Sequence, residues 1–297
     1  MRAAKSNTPD QGNIGPALEL ARLWAKYIPR GKGWFPRLAG HFSTDEQQWV
    51  LTKHGGKLAV ASRSFDVFAH LLNNGGSWDY HVFLACVRYL QKDKVFYDIG
   101  ANVGYMSVEV ARFFNNQVSV IAVEPQPDLA LAIARSARLN GFDRLKVLAV
   151  MLGNTSGPGR LFIGSHQIHA SAVAREKRSK TLTCPAATID EMVASGKIPP
   201  PDVIKIDIEG GELAAFQGAG NTLASHRPVI VFECDANSER FGYTQNDVIE
   251  CLRSAADYEF YNLFSDGSEL PLNPGNRARP DLVADILAKP VSAKGGK

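Results

Sequence analysis

The sequence has few cysteines, and they form no recognisable pair. Cys86, Cys184, Cys234 and Cys251 lie far apart along the chain and include no C-x-x-C pattern. Structural zinc sites and disulfide frameworks both depend on closely patterned cysteines, so neither is expected. Because reduced thiols persist in reducing compartments, the sequence favours a cytoplasmic protein.

Long apolar runs and a strong charge of one sign are also absent. No run is long enough to cross a bilayer, and residues 1–10 lack the apolar core of a signal peptide. The 33 Lys and Arg residues nearly balance the 30 Asp and Glu residues, giving a net charge of only +3. Since dedicated nucleic-acid binders carry a larger basic excess, we predict neither a nucleic-acid partner nor a membrane span.

The aromatic residues are unevenly distributed. The first 78 residues contain all four tryptophans, Trp24, Trp34, Trp49 and Trp78. A length of 297 residues suits one main α/β domain with an extension. We therefore predict three parts: a helical, aromatic-rich N-terminal extension over residues 1–77, an α/β domain over 78–290 and a disordered tail over 291–297.

The most informative stretch predicts a strand, a tight turn and a helix start between Val95 and Met106. Asp98 closes the apolar run, and Gly100 and Gly104 bracket the turn. Glycines let a flat ligand lie against main-chain N–H groups at a helix N-terminus. The dinucleotide fingerprint G-x-G-x-x-G uses a middle glycine to approach a pyrophosphate, and Asn102 stands in its place. The turn therefore predicts a nucleoside ligand without a pyrophosphate.

An acidic residue ends the next predicted strand. Glu124 follows the apolar run Val118–Val123, about 20 residues after Gly104, where a carboxylate can bind ribose hydroxyls. Further strands alternate with helices such as Pro127–Asn140. This alternation indicates a mostly parallel sheet with helices on both faces.

The segment Asp202–Glu212 is the second informative stretch. In an extended strand, Lys205, Asp207 and Glu209 would share one face. Charges are costly in a parallel sheet unless they are paired or lie at its open carboxyl end. We therefore assign Asp207 and Glu209 to a functional rim, together with Glu233 at the end of the next strand. The alternative is a buried Lys205–Asp207 ion pair that only holds the sheet.

A polar, basic segment over residues 165–180 could form a lid. It contains His166 and His169, which are candidates for substrate binding and proton transfer respectively. A plain exposed loop is the alternative interpretation.

These motifs resemble the FkbM-type methyltransferases, which use S-adenosylmethionine. The resemblance covers about residues 78–265 and rests on Asp98–Gly104, on Glu124-Pro125 followed by Asn140, and on Ile204–Glu212 with Phe232-Glu233 behind it. It implies a Rossmann-like class I methyltransferase fold, with a seven-stranded, mostly parallel sheet whose last strand is antiparallel. It also implies S-adenosylmethionine as the cofactor and O-methylation of a hydroxyl group on a saccharide or secondary metabolite.

The expected roles combine this resemblance with the chemistry of the residues. No metal ligand is assigned. Cofactor binding is assigned to Asp98, Gly100, Ala101, Asn102, Gly104, Glu124 and Pro125. Substrate binding is assigned to Glu212, Glu233 and His166. Catalysis is assigned to Asp207, Glu209 and His169.

Several alternatives remain open from the sequence. They are a Rossmann-type NAD(P)-dependent oxidoreductase, a metal-assisted methyltransferase using Asp207 and Glu233, an RNA-directed methyltransferase and a non-catalytic binding module. Carboxylates at Asp98, Glu124 and Asp207 suit a cationic methyl donor, whereas they would repel a pyrophosphate. This charge argument favours methyl transfer over nicotinamide chemistry.

Overall fold

A computed structural model describes most of the chain. The described residues are 12–28, 35, 38, 47–61, 64–163, 170–171, 180–233, 242–272 and 285–291. Their α-helices are α1 Pro16–Tyr27, α2 Phe65–Asn73, α3 Tyr80–Tyr89, α4 Tyr105–Phe113, α5 Pro127–Asn140, α6 Ile189–Ala194, α7 Glu212–Gln217, α8 Gly220–His226 and α9 Gln245–Ala255.

The strands of the described residues form three sheets. In chain order they are β1 Gly12–Asn13, β2 Trp49–Leu51, β3 Lys57–Ala59, β4 Val95–Ile99, β5 Ser119–Val123, β6 Leu145–Leu148, β7 Met151–Leu152, β8 Gly157–Ile163, β9 Ala170–Ser171, β10 Lys180–Ala187, β11 Val203–Ile206, β12 Val229–Glu233, β13 Tyr258–Leu263, β14 Glu269–Pro271 and β15 Asp285–Pro290.

The main sheet confirms the predicted α/β architecture. Its strand order is β14-β13-β15-β12-β11-β4-β5-β6. Strands β12, β11, β4, β5 and β6 pair in parallel, whereas β15 runs antiparallel to both of its neighbours. The predicted antiparallel last strand is therefore present. The carboxyl ends of β4, β5, β11 and β12 consequently meet at one edge.

Among the described residues, the main sheet has eight strands, one more than the predicted seven. The additional strand, β14, contains three residues and pairs with β13 through Asn262 and Leu270 at the sheet edge. A short turn around Gly267 connects the two strands, and the Gly267 N–H donates a hydrogen bond to the Phe264 carbonyl at 2.8 Å. A strand of three residues is too short for apolar alternation to reveal it.

The two faces of the main sheet carry separate apolar cores. In β4, Phe96 packs into one core and Tyr97 into the other, because successive strand residues point to opposite faces. The first core includes α1 to α5, and the second includes α6 to α9. This arrangement confirms the predicted helices on both faces.

Two smaller sheets flank the main one. The three strands β1 to β3 are antiparallel, and β3 is joined to α5 by hydrogen bonds from Lys57 N to Asn140 Oδ1 at 2.8 Å and from Ala59 N to Ser136 Oγ at 2.8 Å. The other sheet has the order β7-β10-β8-β9. The predicted domain division at residue 77 stays a prediction.

The charged stretch after β11 is not a continuous strand. β11 ends at Ile206, and Glu209 has a positive φ of 56°. The expectation that Lys205, Asp207 and Glu209 share one strand face is therefore wrong for Glu209. The chain turns into the loop before α7, where ladder pairing with β4 and β12 has already ended.

Helix lengths also bear on membrane insertion. Within the part of the chain that the structure describes, no helix combines the length and apolar character that crossing a bilayer requires.

Candidate active site

One cavity of ≈ 260 Å³ lies at the carboxyl edge of the main sheet. In open α/β sheets, ligands bind at this edge, where the loops after the strands converge. Most of the predicted site residues line this cavity. They are Asp98, Gly100, Ala101, Asn102, Glu124, Pro125, Asp207, Glu209 and Glu233.

Gly100 fixes the path of the turn after β4. Its φ is +77°, and a Cβ at this position would lie 1.9 Å from the carbonyl oxygen of Asp207. The N–H groups of Gly100 and Ala101 both donate to the Val123 carbonyl at 3.0 Å. The turn is thus held by β5 on one side and by the loop after β11 on the other, and only glycine fits at residue 100.

Glu124 connects the turns that follow β4 and β5. Its Oε2 accepts a hydrogen bond from the Asn102 N–H at 2.9 Å, and its Oε1 accepts one from the Gln126 N–H at 2.9 Å. Burial raises the pKa of Glu124 to about 7, although both N–H groups oppose that rise. Near neutral pH, this carboxyl is therefore close to its own titration midpoint.

Asn102 lines the cavity and carries an unused acceptor. Its φ of 53° lies in the left-handed region, which asparagine tolerates better than most residues. Its Oδ1 is buried and has no hydrogen-bond partner among the described residues. Because a buried polar atom without a partner is costly, this oxygen is well suited to accept a hydrogen bond from a ligand.

Gly104 is adjacent to the cavity without lining it. Its φ is +84°, and a Cβ there would lie 2.8 Å from the Ile133 side chain. The glycine therefore permits close packing of the turn against α5, which is a different task from direct ligand contact.

A buried ion network lies between β4 and β11. The Lys205 Nζ is 3.7 Å from Asp98 Oδ1 and 3.5 Å from Asp207 Oδ2, and it donates to the Gly100 carbonyl at 3.4 Å. Asp98 is fully buried and also accepts a 2.5 Å hydrogen bond from Ser107 Oγ. Burial raises the pKa of Asp98, whereas the Lys205 charge lowers it. Burial would lower the pKa of Lys205, but the carboxylates of Asp207 and Asp98 hold it above its usual range.

The sequence left two alternatives for Asp207, a functional rim and a structural ion pair with Lys205, and the structure contains features of both. Lys205 and Asp207 do form an ion pair, yet 34% of the Asp207 side chain remains exposed and the residue lines the cavity. Glu233 reaches the same cavity from the end of β12, where it pairs in register with Asp285 of β15. Asp207 is therefore partly solvated, in contrast to the fully buried Asp98.

Glu212 is engaged within its own loop. Its Oε1 accepts the Ile208 N–H at 2.9 Å, and its Oε2 accepts the Gly210 N–H at 3.0 Å and the Tyr243 hydroxyl at 2.6 Å. It is not among the residues that line the cavity. The carboxylate holds the loop that follows Asp207, so the structure gives it a supporting position instead of direct access to a ligand.

The two candidate histidines, His166 and His169, lie outside the described residues. Within the described ranges, no group of three or more His, Cys, Asp and Glu side chains is arranged to hold a metal ion.

Several lining residues were not assigned a role from the sequence, among them Trp78, Asp79 and Gln126. Gln126 stands two residues after Glu124 and could have been found by extending that motif. Asp79 occupies the N-cap of α3 with a φ of 42°, but its side chain makes no capping hydrogen bond. An acid at a helix start is ordinarily explained as a cap, so the sequence gives no separate signal for the place of Asp79 at the cavity.

A comparison with known families decides the class of this site. A model of the methyltransferase FkbM domain matches residues 98–260, which is more than half of the chain. The protein belongs to the FkbM methyltransferase family. The family brings S-adenosylmethionine as the cofactor and a class I Rossmann-like fold. This assignment favours methyl transfer over the oxidoreductase and the non-catalytic alternatives.

The chain is similar to individual proteins to different extents. The hexuronic acid methyltransferase AglP of Haloferax volcanii is 30% identical over 143 residues, covering 48% of this chain and 56% of AglP. The crystal structure of a methyltransferase FkbM from Methylobacillus flagellatus is similar at 15% identity and a TM-score of 0.46, covering 77% of this chain and 54% of that one. An O-methyltransferase from Bacillus cereus in complex with SAH is 12% identical with a TM-score of 0.38, covering 72% and 80%. The chain thus spans little more than half the length of the first two proteins.

The residues of the cavity fit this methyl donor. Asn102 Oδ1 is a buried acceptor without a partner among the described residues, and Glu124 and Asp98 line the same cavity. Buried acidic groups favour a cation over an anion. Apolar side chains of Val150 and Leu161 also line the cavity and suit the flat face of an adenine.

Proposed function

We propose that this methyltransferase acts on a hydroxyl oxygen of a saccharide or secondary metabolite. The observation that carries the proposal is Asp207, a partly exposed carboxylate on the cavity wall 3.5 Å from Lys205. A hydroxyl is a weak nucleophile and loses its proton during methyl transfer, so a carboxylate within reach is useful as a general base. The hexuronic acid named for the relative AglP supports a saccharide acceptor.

The donor would be held by Gly100–Asn102, Glu124 and Gln126, a surface here called the donor cradle. S-adenosylmethionine supplies, when bound, a methyl group already activated on a positively charged sulfur. Glu124 would accept hydrogen bonds from ribose hydroxyls, and Asn102 Oδ1 would accept one from an N–H of the donor. Gly100 allows the main chain to pass close to the ligand because no side chain intervenes.

The acceptor would contact Asp79, Lys205, Asp207 and Glu233, here called the acceptor wall. Asp207 accepts the proton of the acceptor hydroxyl while the oxygen gains the methyl group. Lys205 positions the Asp207 carboxylate through the 3.5 Å ion pair and itself stays in place through Asp98 and the Gly100 carbonyl. Since Asp207 is partly exposed, it can return the proton to solvent afterwards.

The order of the strands supports this division of the cavity. β4 lies between β5, which leads to Glu124, and β11, which leads to Asp207. The donor cradle and the acceptor wall therefore extend to opposite sides of the β4 turn. Such a layout holds two reactants side by side, and correct relative placement supplies a large share of the rate acceleration in methyl transfer.

The proposal is tested by incubating the protein and S-adenosylmethionine with a panel of glycosides and hydroxylated metabolites. We expect a mass gain of one CH₂ group, with fragmentation placing the methyl on oxygen. Methylation of nitrogen or carbon, or binding of S-adenosylhomocysteine without methylation of any hydroxylated compound in the panel, would contradict the proposal. Activity lost in EDTA and restored by a divalent cation would favour the metal-assisted alternative, and methylation of RNA in a parallel arm would favour the RNA-directed one.

A further inference from the structure

The acceptor wall has an uneven charge composition. Among the described residues that line the cavity, Lys205 is the one cation, whereas Asp79, Asp98 and Asp207 are all carboxylic acids near it. Asp98 belongs to the floor of the cavity because it is fully buried. The net charge of the wall that an acceptor meets therefore depends mainly on whether the positive charge of Lys205 is already balanced by protein carboxylates.

Lys205 is already committed to protein partners. Its Nζ lies 3.5 Å from Asp207 Oδ2, 3.7 Å from Asp98 Oδ1 and 3.4 Å from the Gly100 carbonyl oxygen, and only 14% of its side chain is exposed. One ammonium group thus serves two carboxylates and a carbonyl. It has little remaining capacity to attract a third anion from a ligand.

His81 is the second cationic group near the wall, and it is also engaged. Its Nε2 lies 2.6 Å from Asp285 Oδ2, and this bond raises the pKa of His81. The pair comprises one positive and one negative group at most, so it adds no net positive charge. Asp285 stands in register beside Glu233, at the same edge of the sheet.

Asp79 adds a carboxyl group that forms no ion pair among the described residues. It lines the cavity at the N-cap of α3, makes no capping hydrogen bond and has no ion-pair partner among the described residues. The pKa of Asp79 is raised by partial loss of solvent and then by the carboxylate of Asp285, while Lys205 acts in the opposite direction. Burial and the nearby carboxylate therefore disfavour a further negative charge close to Asp79.

We propose that the acceptor wall selects an uncharged saccharide ring and disfavours a uronate. Carboxylates only accept hydrogen bonds, so Asp79 and Asp207 complement the O–H donors of neutral sugars and repel a sugar carboxylate. Trp78 lines the cavity beside Asp79 and offers an aromatic face to a sugar ring. The inference rests on the proposed function and adds the charge class of the acceptor, in contrast to the hexuronic acid named for AglP.

The test compares three acceptors that differ at one carbon: a methyl hexoside, the corresponding uronate and the corresponding uronamide. The uronamide has the size of the uronate but no charge. We expect kcat/KM for the uronate to be at least roughly tenfold lower than for the other two, a difference typical of an unfavourable like-charge contact. Equal or better use of the uronate would overturn the inference and leave the proposed saccharide methylation intact.

A variant links this selectivity to Asp79. Asp79→Asn should reduce the ratio of kcat/KM between the uronamide and the uronate. Glu250→Gln is the control because it removes one acid from an exposed ion pair on α9, and it should leave this ratio unchanged. An unchanged kcat/KM ratio in Asp79→Asn would contradict the role of Asp79 in disfavouring the uronate. Methylation of none of the three saccharides, with S-adenosylhomocysteine still bound, would refute the saccharide function and the inference together.

Discussion

The donor cradle and the acceptor wall border the same cavity but are constructed differently. The cradle comes from two short segments whose hydrogen bonds run largely through the main chain, such as those from Asn102 and Gln126 to Glu124. The wall combines Asp79, Lys205 and Glu233, which are far apart in sequence, and Lys205 forms its ion pairs, with Asp98 and Asp207.

This difference separates two kinds of constraint. The structure of the cradle depends on close packing, because its main-chain turns leave no space for larger side chains at residues such as Gly100. The wall depends on charge balance, so individual side chains can change while the fold persists. Substitutions in the cradle should therefore affect donor binding and stability first, whereas substitutions in the wall should affect turnover and acceptor choice.

The largest effect is expected for Gly100→Ala. The added Cβ would lie 1.9 Å from the Asp207 carbonyl oxygen, so the turn must move or the protein must unfold. We expect a loss of about 4 kcal/mol or more of unfolding free energy, together with loss of S-adenosylhomocysteine binding. Chemical denaturation and calorimetry measure both quantities.

Gly141→Ala is the matched control for this variant. Gly141 also has a positive φ, +68°, but a Cβ there meets no atom within 4 Å. Only the backbone strain remains, which costs about 1 kcal/mol, and donor binding should be unchanged. Similar losses in the two variants would show that the contact with Asp207 does not set the shape of the cradle.

The next largest effect is expected for Lys205→Met, which removes the cation between two carboxylates. Asp98 is fully buried, so its charge would lose compensation, and we expect about 3 kcal/mol lower stability at neutral pH. Because the burial-raised pKa of Asp98 would lose the opposing effect of Lys205, part of this loss should be recovered at lower pH. Thermal unfolding across pH measures the change.

Lys94→Met provides the comparison for Lys205→Met. Lys94 pairs with Asp202 at 3.1 Å, but 51% of the Lys94 side chain is exposed. Exposed pairs contribute at most about 1 kcal/mol. If both lysine variants lose the same small amount, the buried network does not organise the acceptor wall.

The smallest effect concerns the pH dependence of donor affinity. The pKa of Glu124 is about 7, so lowering the pH by one unit from neutral protonates most of this carboxyl. Affinity for S-adenosylmethionine should weaken by up to roughly tenfold, because the charged acceptor for the donor is lost. Calorimetric titration of wild type and Glu124→Gln checks this, and a pH dependence that persists in the variant would contradict it.

Stability of the ligand-free protein should respond to pH in the opposite sense. Burial raises the folded pKa of Glu124 above its unfolded value of 4.5. Its contribution is therefore fully present below pH 4.5 and is lost as the pH rises through about 7. Glu124→Gln should be less sensitive to pH in this interval than wild type.

The local structure of the cradle, its strand ends and turns, is predicted well from the sequence because the information is local. The turn from Asp98 to Gly104 and the acid Glu124 directly follow apolar strands. The glycines of the turn indicate positive φ angles. Helix α5 begins at Pro127 and ends at Asn140 as predicted, with Gly141 in the left-handed conformation of a helix stop.

The wall is harder to predict because tertiary pairing decides it. Asp79 reaches the cavity only after α3 has packed, and no spacing in the sequence links it to Lys205. Glu212 stands close to Asp207 in sequence, yet its carboxylate is used by the Ile208 and Gly210 N–H groups and by Tyr243. Sequence distance to a motif is thus a weak guide to which acid faces a ligand.

The division between cradle and wall is tested most directly by the single-turnover rate of Asp207→Asn at saturating donor. The control is Asp202→Asn, which makes the same change just before the start of β11. We predict that Asp207→Asn lowers the methyl-transfer rate by about 10²-fold or more, the size expected for loss of a general base, while S-adenosylhomocysteine affinity matches that of the control. A wild-type rate in Asp207→Asn, or a rate loss explained entirely by weaker donor binding, would contradict the account.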